Sequence, residues 1–166
     1  MALTDEAQKL RDEINSKLRR ELSGRASLDQ LIVHTLNNFA HRYLSGDQIQ
    51  AEHWDKNTLG IKYLEHDMLQ VLKTQNTEIR PSLIEMAKTH PKKENPYVIY
   101  SLSVRYLSWS ESGLGELQVE SGLDCGFPKF EDTSKKFEKT KKLKFDDPLE
   151  VRNKLPLLLE EVCSLF

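Results

Sequence analysis

A lysine-rich segment, residues 135–145, is the strongest chemical signal in the sequence. It holds six lysines in eleven residues, although the whole chain of 166 residues has a formal net charge of −2. Ammonium groups at this density can contact nucleic-acid phosphates, acidic lipid head groups or an acidic protein surface, and its phenylalanines can stack or insert. The lysines are Lys135, Lys136, Lys139, Lys141, Lys142 and Lys144.

The apolar residues of the lysine-rich segment indicate its conformation. Phe137, Leu143 and Phe145 all have odd numbers, so a strand would place them on one face and leave lysines on the open side. An exposed loop is the alternative. Lysines on an edge strand also discourage pairing between molecules, so the segment has a purely solubilising interpretation. A dedicated nucleic-acid binder is usually basic as a whole domain, which this chain is not.

Histidines and cysteines give no catalytic or metal-binding signature. His34 and His41 lie seven residues apart, which separates them by roughly 10 Å along a helix, too far for one ion without other ligands. His53 and His66 would have to come from other segments. Cys125 has no histidine nearby in sequence, which argues against a nucleophile, and without a secretory signal both Cys125 and Cys163 are expected to be free, packed thiols. We therefore predict no metal and no cofactor.

Residues 4–22 predict a charged helix with a narrow apolar stripe. Leu10, Ile14, Leu18 and Leu22 follow one another at a four-residue spacing, with charged residues between them. A stripe this thin suits docking on one neighbour, such as a helix of another subunit, better than burial in a core. We therefore expect residues 1–24 to form a helical arm that acts as an association element.

The remaining sequence predicts helices first and strands later. Further helices are expected at 27–44 (with a capping box from Ser27 to Gln30), 61–75 and 81–89, with an irregular stretch at 46–60. Residues 98–106 alternate in polarity and predict a strand that forms a hairpin with residues 116–120, where Arg105 could face a glutamate. Residues 121–134 are expected to be a loop. Asp147 and Pro148 predict the start of a last helix, which Pro156 would kink or split.

These elements predict an α+β fold in which residues 25–166 form a single domain. A helical N-terminal half of three to four helices would pack with a small antiparallel hairpin or sheet and a C-terminal helix. The order of elements argues against a parallel βαβ fold. With two cysteines, no secretory signal pattern and no apolar run of the roughly 18 residues that a membrane span needs, an intracellular compartment is expected, cytoplasmic or nuclear.

The sequence favours a non-enzymatic interaction protein, an adaptor or a subunit of a larger assembly. It would associate through the N-terminal helix, with a helix of another protein or a second copy. It would contact an acidic protein surface through the lysines and through the positive charge of Arg105 on the hairpin. The first alternative is a nucleic-acid-associated protein that contacts phosphates through residues 135–145. The second is a metal-dependent or carboxylate/histidine enzyme whose site is assembled from separate segments.

Overall fold

The computed structural model describes residues 4–22, 24–43, 50–65, 80–81, 84–85, 97–127 and 130–166. Its helices and strands, in chain order, are α1 (Asp5–Glu21), α2 (Arg25–Tyr43), β1 (Glu52–Asp55), β2 (Thr58–Glu65), β3 (Tyr97–Trp109), β4 (Gly115–Phe127), β5 (Phe130–Phe145) and α3 (Pro148–Cys163).

The strands form one antiparallel sheet in the order β1-β2-β3-β4-β5, so each pairs with the next along the chain. The fold is α+β, but the predicted helical N-terminal half of three to four helices is wrong. Within the described residues two helices precede the sheet and one follows it, so helices lie at both ends of the chain. The sheet is also larger than the predicted hairpin.

The first error concerns residues 61–75, predicted as a helix. Ile61 and Leu64 fit a helical spacing, but residues 61–65 belong to β2, where Leu59 and Ile61 are buried and alternate with residues on the other face. The remaining residues of that predicted helix, 66–75, lie outside the described residues. The stretch 46–60, predicted to be irregular, contains β1 and the start of β2.

An Asx-type turn joins β1 to β2. One carboxylate oxygen of Asp55 accepts a hydrogen bond from the backbone N–H of Asn57 at 2.8 Å, and the other accepts from the hydroxyl of Thr58 at 3.2 Å. Asp and Asn stabilise turns by such local bonds. The turn is therefore encoded locally. The hairpin escapes prediction because β1 has only four residues and because Ile61 and Leu64 in β2 also satisfy a helical spacing.

The predicted strand at 98–106 is confirmed within β3, and its even-numbered apolar residues are buried. The predicted loop at 121–134 is wrong, because β4 continues to Phe127 and β5 already begins at Phe130. Ser121, Leu123 and Cys125 continue the buried alternation of β4. Serine and glycine at 121–122 gave the sequence the composition of a loop.

Helices α2 and α3 cover one face of the sheet and form the core with it. Leu28, Ile32 and Leu36 of α2 are buried, which confirms the predicted helix there. The helix already begins at Arg25, however, so Ser27 is not its N-cap and the predicted capping box is wrong. Of the predicted helix at 81–89, residues 81, 84 and 85 are described and are helical.

The C-terminal helix begins as predicted. Its N-cap is Asp147, whose side chain accepts a hydrogen bond from the backbone N–H of Leu149, and Pro148 stands in the first turn. Pro156 does not split it, because α3 continues to Cys163. The hydroxyl of the fully buried Ser121 donates to the carbonyl of Val162 at 2.6 Å and ties this helix to β4.

Two leucines in α3 provide a matched test of this arrangement. Leu155 is fully buried under the sheet and Leu157, two residues later, is 61% exposed. We expect Leu155→Ala to lower the free energy of unfolding by about 2–5 kcal/mol, because it leaves a cavity. Leu157→Ala is expected to change it by no more than about 0.5 kcal/mol. Urea unfolding of both variants measures the difference, and equal values would contradict the packing of α3.

Candidate interaction surfaces

The lysine-rich segment forms the last two thirds of β5, which is one of the two edge strands of the described sheet. Its prediction as a strand is therefore confirmed, and the loop alternative is wrong. Leu143 and Phe145 are buried against the helices, and Phe137 is half-buried beside them. The apolar residues thus lie on one face, as their odd numbers predicted.

The lysines, however, divide between the two faces of the sheet. Lys139 Nζ donates to Ser164 Oγ at 2.7 Å, and Lys141 Nζ lies 3.7 Å from Glu161 Oε2, so both reach the C-terminal end of α3. The prediction that the lysines all face the open side is wrong for these two, because odd-numbered lysines share the face of Leu143 and Phe145. Lys135 has the same parity.

The even-numbered lysines project from the other face, which no described helix covers, and there they meet acidic residues of β4. Lys136 is paired in register with Asp124, and Lys144 with Glu116. Lys142 is opposite Gln118, whose side chain bonds to Glu120. Opposite charges across neighbouring strands stabilise a sheet modestly. This face therefore carries both signs of charge and is not a uniformly basic patch.

Arg105 also lies on this face of the sheet. Its direct neighbours are Gln118 on β4 and Thr58 on β2, so the residue opposite it is an amide and not the expected glutamate. The pKa of Asp55 is lowered, first by the hydrogen bond from the backbone of Asn57 and to the smallest extent by the charge of Arg105. Arg105 thus adds its positive charge to the β1–β2 end of the sheet.

The apolar stripe of α1 is only partly used within the chain. No residue of α1 is buried. Leu18 and Leu22 are half-buried, whereas Leu10 is 58% exposed and Ile14 is 50% exposed. The helix is well formed at both ends: Thr4 Oγ1 accepts a hydrogen bond from the backbone N–H of Ala7, and the N–H of Leu22 bonds back to Leu18. The outer half of the stripe is therefore presented to solvent on an ordered helix.

An ion pair anchors the inner half of α1 to the rest of the protein. Arg19 Nε donates to Asp147 Oδ2 at 2.7 Å, while Oδ1 of the same carboxylate caps α3. Partial burial raises the pKa of Asp147, but the hydrogen bonds from Arg19 and from the backbone of Leu149 outweigh it, so the net pKa is lowered. The sequence marked Asp147 as an N-cap but gave no sign of Arg19, because the two residues are 128 positions apart.

A second group of polar side chains joins α2 to the sheet. Asp29 Oδ1 accepts a hydrogen bond from the hydroxyl of Tyr106 at 2.6 Å and another from Arg25 Nε at 3.3 Å. The guanidinium of Arg25 lies 3.5 Å from the centre of the Tyr106 ring. Burial, and then the neighbouring Asp29, raise the pKa of Tyr106. Sequence reasoning missed this group, whose members come from distant segments.

Asp29 also borders a groove of about 410 Å³ between α2 and β1. His34 and His53 line it together with Asp29, but His53 Nε2 is 3.7 Å from Asp29 Oδ2, beyond hydrogen-bond length. Because the other oxygen of Asp29 is held by Tyr106 and Arg25, this carboxylate positions α2. Among the described residues, no three His, Cys, Asp or Glu side chains lie close enough together to hold a metal ion. His66 is outside the described residues.

Both cysteines are free and buried in the core. Burial, followed by the charge of Asp124, raises the pKa of the Cys125 thiol to about 11, and burial raises that of Cys163 to about 12. A thiol needs its thiolate form to act as a nucleophile. The expected role of both residues as packed core thiols agrees with this arrangement.

None of the described helices combines the length and the apolar character that crossing a membrane requires. No protein-family model, curated protein or solved structure matches the chain.

The anchor of α1 can be tested with Asp147→Asn. Asparagine still caps α3 but cannot form the ion pair with Arg19, so we expect unfolding to require about 0.2–1 kcal/mol less free energy at neutral pH. Since the folded pKa of Asp147 lies below its ordinary 3.8, its contribution is present above that value and is lost as the pH falls through the folded pKa. Urea unfolding from pH 7 to pH 3 should therefore show the two proteins converging in stability in acid.

The neighbouring exposed residue Asp146 supplies the control for this experiment. Asp146→Asn removes the same charge one position earlier, without the contact to Arg19. A loss of stability as large as that of Asp147→Asn would mean that the effect is one of net charge and not of the anchor.

The cysteines give a further prediction. At pH 8 we expect neither Cys125 nor Cys163 to react with Ellman's reagent in the folded protein, because burial keeps both thiols protonated and out of reach. Both should react in denaturant, which provides the internal control. A thiol that reacts within seconds in the native protein would contradict the burial of β4 or of α3.

Proposed function

We propose that this protein is a non-enzymatic interaction protein, an adaptor or a subunit of a larger assembly, and that it binds a protein partner through α1. The observation that carries the proposal is the exposure of Leu10 and Ile14 on a helix that buries none of its residues. Single exposed apolar residues are common on protein surfaces. Two at adjacent turns of an ordered amphipathic helix are typical of a surface that another helix covers.

Burial of the two exposed side chains would contribute a substantial part of the free energy of binding a partner. Burying a leucine or isoleucine side chain completely stabilises by roughly 1.5–3 kcal/mol, and about half of each side chain is still exposed here. The helix is already formed and anchored by Arg19, so a partner does not have to order it. The proposed mechanism is therefore apolar burial on a preformed helix.

The lysines of β5 take a secondary part in this proposal. Lys136, Lys142 and Lys144 lie on the open face and would steer an acidic protein surface towards it, with Arg105 as the cation nearer β2. Glu116, Asp124 and the other acids of that face would repel phosphates and an acidic protein alike, so the proposal rests on α1 and not on these lysines. Two buried free thiols favour a reducing, intracellular compartment.

An enzyme remains the least supported alternative. Asp29, His34 and His53 do border one groove, which is the arrangement that a site assembled from separate segments would need. The carboxylate of Asp29 is nevertheless bound to Tyr106 and Arg25, and its distance from His53 does not fit a catalytic pair.

The decisive experiment is a pull-down from the native cell with a variant of the stripe. Leu10→Glu combined with Ile14→Glu removes the apolar surface. Because glutamate is a good helix former, α1 is expected to remain helical in this variant. We expect the partners retained by the wild type to be reduced at least about tenfold, since an apolar contact of 1.4 kcal/mol or more is lost. Quantitative mass spectrometry of the bound proteins measures the change.

The chain offers a matched control in Leu114→Glu combined with Leu157→Glu. These leucines are 47% and 61% exposed and lie outside α1. The control should keep the partners of the wild type. If the α1 variant keeps them as well, α1 is not the association element and the proposal fails. A third variant, in which Lys136, Lys142 and Lys144 are changed to Glu, tests whether the lysines of β5 steer the partner.

Retention on an immobilised nucleic-acid column distinguishes the nucleic-acid-associated alternative from the proposed protein–protein interaction. Phosphate contacts weaken steeply with salt, so binding at low salt that falls linearly on a log–log plot would favour nucleic acid.

A further inference from the structure

We infer that the partner of the exposed stripe is a second copy of this chain, bound with the two α1 helices side by side and antiparallel. This inference rests on the proposed function of α1 as the association element, and it names the occupant. It follows from the charges that border the stripe.

The position of each residue around α1 defines the surface left for a partner. With about 100° per residue, Leu10 and Ile14 lie 40° apart and mark the centre of the exposed stripe. Leu18 and Leu22, which are half-buried, lie to one side of that centre, so the protein's own body occupies that flank. The opposite flank carries five exposed charged residues, namely Glu6, Lys9, Glu13, Lys17 and Arg20.

The first four charges on this free flank, from Glu6 to Lys17, alternate in sign along the helix. Read from the N-terminus they are negative, positive, negative and positive, and read backwards the order is inverted. A twofold axis perpendicular to two antiparallel helices places each flank against the same flank of the copy. Such a pair therefore brings each of these four charges opposite a charge of the other sign, whereas Arg20 falls at the level of the second copy's Thr4, at the end of the helix.

The positions of these charged residues along the helix axis also match when the apolar stripes of the two copies are packed together. When Leu10 lies beside Ile14 of the second copy, Lys9 falls near the second copy's Glu13, and Glu6 near its Lys17, within about two residues or 3 Å of rise. By symmetry each contact occurs twice, so four opposite-charge pairs border four apolar side chains. The two helix dipoles are also antiparallel, which is favourable.

A parallel pair lacks these contacts. In that orientation the free flank faces the other flank of the copy, which contains Leu18 and Leu22 and already touches the body of its own chain. The pair Lys17–Glu21 within α1 does not compete strongly, because its atoms are 4.0 Å apart and both side chains are exposed. Charge complementarity therefore selects the antiparallel dimer.

Two charge reversals test the inference. Lys9→Glu alone sets two glutamates against each other, and Glu13→Lys alone sets two lysines against each other. We expect each variant to dimerise about tenfold more weakly than the wild type, because two exposed pairs become repulsive. An equimolar mixture of the two variants regains opposite charges in every pair and should associate within about threefold of the wild-type affinity.

Sedimentation velocity or light scattering over a concentration series measures these affinities, and circular dichroism checks that each variant keeps its helix content. Lys62→Glu reverses an exposed lysine on the open face of the sheet and should dimerise as the wild type does. A mixture that associates no better than the separate variants would overturn the antiparallel arrangement.

The outcome also separates this inference from the proposed function. A wild-type chain that stays monomeric at every concentration overturns the second copy as the partner. If proteins captured from the native cell are still lost with Leu10→Glu and Ile14→Glu, the proposed function stands and α1 binds a different protein. If they are retained, both ideas fail.

Discussion

The burial of one face of the sheet beneath α2 and α3 is the constraint on which the other features of the described structure depend. The core contains alternate residues of β2, β3, β4 and β5, together with the inner faces of both helices. The side chains of a strand point alternately to the two faces of the sheet. Covering one face with helices therefore buries every second residue of each strand and leaves the residues between them on the other face. The hydroxyl of Ser121 fits this layer only because it donates to the backbone of α3.

This constraint explains why the lysine-rich segment is not a single basic surface. Its lysines occur at both parities, so the strand sends them to opposite faces. On the helix face, Lys139 and Lys141 extend past the core to polar groups at the end of α3, as long side chains with an apolar stem and a charged end can. On the open face their neighbours are set by β4, where Asp124 and Glu116 face Lys136 and Lys144 in register. Local charge density in the sequence therefore overstated the charge density of the surface.

Sequence patterns correctly predicted those elements whose conformation depends mainly on residues that are close together in the sequence. The alternation in β3, the N-cap at Asp147 and the apolar face of α2 all follow from a few neighbouring residues. Residues 61–65 were misread because Ile61 and Leu64 satisfy a helical spacing, while the strand is decided by pairing with β3. Likewise the polar residues 121–122 resemble a loop until β3 and β5 pair with them on either side.

The candidate surfaces depended even more on contacts that are distant in sequence. The stripe of α1 was visible as a spacing, but its division into a half-buried and an exposed part follows from Arg19 meeting Asp147. An isolated helix of 17 residues is only marginally stable in water, so this anchor and the N-cap at Thr4 matter for keeping α1 formed. Because the anchor sits near the C-terminal end of α1, it supports the helix without covering Leu10 and Ile14. A preformed helix with an uncovered apolar surface loses little conformational entropy on binding, and this is the physical reason why we propose α1, rather than the charged edge of the sheet, as the association element.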